Sequence, residues 1–243
     1  MARVGIAWRS RMSPDRPSMT APYCGPIQAG WRCRLGPLVM TGLAALGAAV
    51  GIGWLYASTW IPTHEPTDRR VLTGRSLALV SMAFCEGIAV LGVVVGILAV
   101  MTDGQIAQTD RLFAAGPAVV GAVIGLGLVV RHRQTADPRL VPHAVVFIVG
   151  LANLGIVVAL LAYILGEDGP KHPIEGPFFV LGLVSLASAL AIGRTGARAV
   201  RSLERADEIA SKAIQAKQIA RNGLFQIAGV GASIIAVVLI LAR

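Results

Sequence analysis

The stretch SLALVSMAFCEGIAVLGVVVGILAV (Ser76–Val100) is 25 residues long and carries a single charged side chain, Glu86. A charged side chain at the centre of a bilayer costs about 2.5–3.5 kcal/mol on insertion scales. The stretch contains no Lys or Arg that would offset the charge, so holding a proton is the least costly way to keep Glu86 there. We therefore interpret Glu86 as a reversible proton carrier. The alternative is a carboxyl held by a polar group of a neighbouring helix.

The composition of the whole chain predicts an integral membrane protein. Of its 243 residues, 55% are hydrophobic and only 14% are charged, whereas soluble domains carry about 25% charged residues. The 28 glycines favour closely packed helices, since small side chains let helix backbones approach. The formal net charge of +9 does not indicate nucleic-acid binding, because the basic residues flank the apolar runs, where membrane topology and lipid headgroups account for them.

Six apolar runs reach the length of roughly 20 residues that a membrane-spanning helix needs, and they lack the alternation of a β-barrel. The sequence therefore predicts an all-α, multi-pass integral membrane protein. We expect its membrane to be an inner or plasma membrane of bacterial or archaeal type. The predicted spans are Gly36–Ala57, Ser76–Met101, Leu112–Val130, Ala144–Leu165, Pro177–Ile192 and Leu224–Ala242.

The charges of the connecting segments predict the orientation. The first, third and fifth connectors are rich in Arg and Lys, whereas the second and fourth are short and acidic. By the positive-inside rule the basic connectors face the cytoplasm, and both ends of the chain lie on the other side. Residues 1–35 are also basic, which conflicts with this orientation. We interpret them as a disordered tail, a processed leader or the product of a misplaced start codon.

The spans repeat in pairs. The first, third and fifth spans are predicted to open with Gly-Pro, at Gly36, Gly116 and Gly176. Residues Glu86–Val100 align without gaps to Val149–Tyr163, with 8 of 15 positions identical, and Val230–Ala242 aligns more weakly. The pattern predicts three helical hairpins, at 36–101, 112–165 and 176–243. Glu86 aligns with Val149 and Val230, so only the first hairpin retains a carboxyl.

These features together resemble the c subunit, or proteolipid, of rotary ATP synthases and of vacuolar-type ATPases, in a multiplied-hairpin form. The segment Ala83–Val94 (AFCEGIAVLGVV) resembles the carboxyl-bearing helix of that family. The loop at Arg133–Pro138 resembles its Arg-Gln-Pro turn, although other residues intervene. The glycines of the first span resemble its glycine-rich inner helix, and we predict helix-packing roles for them and for a GxxxG pair in the second span: Gly47, Gly51, Gly53, Gly92 and Gly96.

The resemblance implies a proton-translocating rotor-ring subunit with Glu86 as its ion-carrying residue. It also implies a set of partners: further c-type subunits in a ring, a stator membrane subunit with an Arg, soluble stalk subunits at the basic loops, and lipid. Proton is favoured over sodium, because Gly87 follows Glu86 and the first span offers only Thr41 as a further ligand. No cofactor and no metal site are implied.

Other residues leave alternatives open. Asn153, near the middle of the fourth span, either bonds across helices or supports Glu86. The connector at 193–223 is predicted to be a continuous or hairpinned helix that either docks a partner or is merely solvated. No catalytic site is found. The competing functions are a c-like structural or assembly subunit of a larger membrane complex, and a small transporter or channel.

Overall fold

The structure is a computed structural model that describes residues 36–60, 69–102, 108–165 and 176–242. All regular secondary structure in this part of the chain is helical. One 3₁₀ turn, Pro138–Leu140, precedes the fourth of six α-helices: α1 (Leu38–Ala57), α2 (Arg69–Thr102), α3 (Gln108–His132), α4 (Val141–Leu165), α5 (Gly176–Leu203) and α6 (Glu208–Leu241). The predictions for residues 1–35 lie outside the described residues.

The six described helices are each long and apolar enough to cross a membrane. This confirms the all-α class and the number of candidate spans. The largest difference in bounds concerns the fifth connector. Residues 193–223 have no separate fold of their own, because α5 continues to Leu203 and α6 begins at Glu208. The polar helical segment is therefore divided between two long helices that meet at a short turn.

Local signals explain three of the helix starts. Pro37 caps α1, and Pro177 is the second residue of α5, where a missing N–H costs no hydrogen bond. The side chain of Asp207 accepts a hydrogen bond from the Ala210 N–H at 2.7 Å and so begins α6. The prediction that Gly116-Pro117 opens the third span is wrong, because α3 begins at Gln108 and Pro117 lies inside it.

The helices pack as two layers of three. In the first layer α1 lies between α3 and α5, and in the second layer α2 lies between α4 and α6. Consecutive helices pair across the layers, as α1 with α2, α3 with α4 and α5 with α6. Thus the pair nearest the start of the described chain lies in the centre of the bundle.

Within a layer the helices run in one direction. On α1 and α5, Met40 lies against Gly182 and Gly51 lies against Gly193, so residue numbers rise together along both helices. The C-terminal ends of α1, α3 and α5 consequently lie at one end of the bundle. We call it the basic end, since its exposed side chains include Arg131, Arg133, Arg139, Arg201 and Arg205.

Candidate functional site

Glu86 lies on the outward face of α2. Ala83 and Val90, three residues before it and four after it, are both exposed, whereas Cys85 and Ile88 are fully buried. Residues at these spacings share one face of a helix. Glu86 itself is half-buried, and its carboxyl makes neither a hydrogen bond nor an ion pair in the described structure. If the bundle lies in a bilayer, this face of α2 meets lipid.

An amide on α6 lies beside this site and was missed in the sequence analysis. The side-chain nitrogen of Gln226 is 3.2 Å from the point where Gly87 would carry a Cβ. It is therefore a polar neighbour of the residue that follows Glu86. Its signal in the sequence was a lone amide inside the apolar sixth span.

The two polar residues that the sequence brought forward lie elsewhere. Asn153 is exposed on α4 between Val149 and Ile156, which are exposed as well, and it makes no hydrogen bond within the described chain. Thr41 donates a hydrogen bond to the Gly92 carbonyl at 2.8 Å, and so joins α1 to α2 at a level six residues beyond Glu86. Neither residue is placed as a ligand of the Glu86 carboxyl.

The five glycines predicted to pack helices all lie at helix–helix contacts. A Cβ on Gly47 would come within 2.8 Å of the Leu186 carbonyl oxygen of α5, and one on Gly53 within 2.9 Å of the Gly125 Cα of α3. The other three lie against neighbouring helices as well: Gly51 against Ala189 of α5, Gly92 against Ala44 of α1, and Gly96 against Thr41 of α1 and Val158 of α4. Because glycine has no side chain, these positions let α1 approach α2, α3 and α5 closely.

A buried chain of polar side chains joins α2, α5 and α6. Asn222 donates to the Ser81 hydroxyl at 2.9 Å, and Gln218 donates to the Asn222 side-chain oxygen at 2.6 Å. Gln218 also donates to Thr195 at 3.0 Å. Asn222 and Ser81 are 0% exposed and Gln218 is 1% exposed, so these amides satisfy one another instead of meeting water. Because Gln218, Asn222 and Gln226 follow one another at intervals of four, they lie along one face of α6.

A second polar contact joins the turns of the basic end. The buried carboxylate of Asp137, in the turn after α3, forms an ion pair with Arg75 of α2. Its second oxygen accepts the Arg139 N–H at 3.0 Å, and its own N–H donates to the Thr59 hydroxyl at 3.1 Å. This turn is the segment that resembles the Arg-Gln-Pro loop, and here it ties the first helix pair to the second.

Comparison of the chain with protein-family models, with curated proteins and with solved structures yields no match. Among the described residues, no group of three His, Cys, Asp or Glu side chains is arranged to hold a metal ion.

Proposed function

We propose that this chain is a proton-translocating, c-type rotor-ring subunit of a rotary ATPase or ATP synthase, embedded in the membrane with Glu86 as its reversibly protonated carrier. One observation carries the proposal: the only charged side chain of the apolar stretch 76–100 is half-exposed on the outward face of α2 and has no partner in the described chain. A carboxyl in that position is available to a group outside the bundle. Protonated, it tolerates lipid. Deprotonated, it requires water and a cation.

The two layers support the hairpin repeat on which the resemblance depends. The odd-numbered helices form one layer and the even-numbered helices form the other, as inner and outer helices of neighbouring hairpins would. We infer that α1–α2, α3–α4 and α5–α6 are three copies of one unit.

The register of the second layer supports the same inference. Gly96 of α2 lies against Val158 of α4, and these helices run in the same direction. Ten residues back along both helices, Glu86 is level with Ile148, about 1.5 Å along the axis from the aligned Val149. The Ile88–Gly229 contact places the aligned Val230 about three residues, or about 4.5 Å, beyond the level of Glu86. The positions aligned in sequence therefore lie near one height in the bundle.

A ring of hairpins forms if several copies of the whole chain continue this arrangement side by side. The apolar part of the α3–α4 edge of one chain would pack on the apolar part of the α5–α6 edge of the next, and the polar ends of α5 and α6 would lie beyond this contact. Such a head-to-tail contact closes when the rotation per chain divides a full turn. The Glu86 face would then lie outside the ring, open to lipid and to an Arg of a stator subunit. Soluble stalk subunits would meet the basic end.

The second candidate is a c-like structural subunit without proton transport. It is favoured by the buried contacts that hold the helix pairs together independently of Glu86, namely the Ser81–Asn222–Gln218 chain and the Arg75–Asp137 ion pair. In that case Glu86 would be dispensable.

Carbodiimide labelling separates the two candidates. A hydrophobic carbodiimide reacts with protonated carboxyls in apolar surroundings, so we expect Glu86 to be the labelled residue in membranes at neutral pH. Glu86→Gln should lose the label and coupled proton transport, while membrane insertion is retained. The matched control is Glu204→Gln, at an exposed position in the turn before α6, and it should keep both. Normal transport by Glu86→Gln would reject the carrier role.

A further inference from the structure

A groove between α5 and α6 opens near the basic end of the bundle. Its volume is about 180 Å³, well above the roughly 10–15 Å³ that a cavity needs to hold one water molecule. The α5 wall presents Thr195, Arg198 and Ser202, which are three and four residues apart and so share one helix face. The α6 wall presents Lys217 and Arg221, which are four residues apart, and Gln218, which lies three residues before Arg221.

All the charged side chains that line this groove are cationic. Its lining includes three cationic side chains and no carboxylate. Within the described chain, Arg198, Lys217 and Arg221 form no ion pair, and all three are exposed. The acidic residues of this region lie at the turn instead, where Glu208 pairs with Lys212 at 3.4 Å. Three unpaired cations that converge on one groove attract an anion.

The donors that remain available in this groove indicate the chemistry of that anion. The Thr195 and Ser202 hydroxyls donate to the Ala191 and Arg198 carbonyls, and the Gln218 amide donates to Thr195 and Asn222, so these groups are engaged within the fold. The two guanidinium groups and the ammonium group are the available donors, and they match a phosphoryl group with its several acceptor oxygens. The wall is already ordered, because Thr195 and Gln218 belong to the buried polar chain, with a 3.0 Å hydrogen bond between them.

The position of the groove indicates which molecule carries the phosphoryl anion. It lies where the apolar parts of α5 and α6 give way to polar residues, which is the level of lipid headgroups if the helices cross a membrane. Basic pockets between transmembrane helices on the cytoplasmic side are sites of anionic headgroups. We propose that the α5–α6 groove binds a phosphoryl anion, and that its source is the headgroup of an anionic phospholipid.

Lipid binding by the detergent-purified full chain tests this proposal. Native mass spectrometry would count phosphatidylglycerol or phosphatidic acid bound at increasing concentration, with phosphatidylcholine and inorganic phosphate as comparison ligands. The groove variant is Arg198→Gln with Lys217→Gln and Arg221→Gln. The control variant removes three exposed arginines of the same end outside the groove: Arg133→Gln, Arg201→Gln and Arg205→Gln. Both variants lose the same charge.

We expect the groove variant to lose about tenfold or more in affinity for the anionic lipids, and the control variant to lose less than about threefold. An equal loss in both variants would mean general surface attraction and would overturn the site. Binding of phosphatidylcholine as tight as that of phosphatidylglycerol would overturn the anion. Inorganic phosphate bound as tightly as the lipids would overturn the lipid source. The melting temperature without lipid checks that the groove variant folds, and Arg221→Gln alone, expected to show a smaller loss, replaces it if it does not.

Discussion

At the scale of single residues, polar side chains of this bundle fall into two kinds. Asn222 and Gln218 are buried and satisfy each other, whereas Glu86 has no partner in the described chain and is half-exposed. A group of the first kind stabilises the fold, because a buried polar atom without a partner is costly. A group of the second kind contributes little to packing and remains free for chemistry. This contrast favours Glu86, rather than the buried amides, as the site of the proposed proton transport.

The buried amide gives a stability prediction with a control in the same chain. Asn222→Ala removes the hydrogen bonds to Ser81 and Gln218, so we expect the free energy of unfolding to fall by about 1–3 kcal/mol. Asn153→Ala removes an exposed amide without a hydrogen bond, and should change it by less than about 0.5 kcal/mol. Denaturation of the two variants in detergent micelles measures both. Equal effects would show that the buried chain does not stabilise the protein.

At the scale of elements, α1 is built for close approach. Its glycines meet the backbones of α3 and α5, and a Cβ on Gly193 of α5 would overlap the Gly51 backbone. Helices this close gain dispersion contacts along their whole length, which matters where the surrounding solvent is itself apolar. The small residues of α1 are therefore a requirement of its central place between α3 and α5.

Two glycine substitutions test this packing. Gly193→Ala should destabilise the bundle by about 1–3 kcal/mol, since the added methyl has only backbone to displace. Gly231→Ala meets no atom within 4 Å and should be neutral or stabilising by up to about 1 kcal/mol, because Ala is the better helix former. Thermal unfolding in the same detergent compares them. If Gly193→Ala is as stable as Gly231→Ala, the close contact of α1 and α5 is not formed.

The presence of the helices could be predicted from the sequence more readily than the neighbours that each helix packs against. The six helices could be predicted because long apolar runs form few other structures. The burial of Gln218 and Asn222 could not, since both lie in the polar segment 193–223, whose composition is typical of a solvated helix. Only the packing of α6 against α2 and α5 brings them out of water. Gln226 was missed for a related reason, because a single amide in an apolar span does not show which helix it will face.

At the scale of the whole molecule, the order of the helix pairs departs from their order in the chain. The first pair lies between the second and the third. Ten residues, 166–175, separate α4 from α5, and a chain of that length reaches at most about 33–36 Å, enough to pass two helix diameters. Faces made of Gly, Ala and Val carry little information about which neighbour they meet, so the sequence left this order open.

The single carboxyl also determines how many protons the proposed ring would carry per turn. A ring made only of this chain would hold one carrier for every three hairpins. Each proton supplies about 2.3 kcal/mol per 100 mV of membrane potential. The work available per turn is then about a third of that of a ring with a carboxyl in every hairpin. So few protons per turn suit a pump better than a synthase. The alternative is a mixed ring in which other subunits supply further carboxyls.

The central claim, a rotor-ring subunit, is tested most directly by the native mass and projection image of the detergent-extracted complex. We expect a closed ring of several c-type subunits, with a mass that is a whole multiple of the mass of one subunit if the ring contains only this chain. In that ring the α2 faces that carry Glu86 lie on the outer circumference. A single copy of the chain, or an assembly with two-fold symmetry that buries the Glu86 face between copies, would contradict the claim.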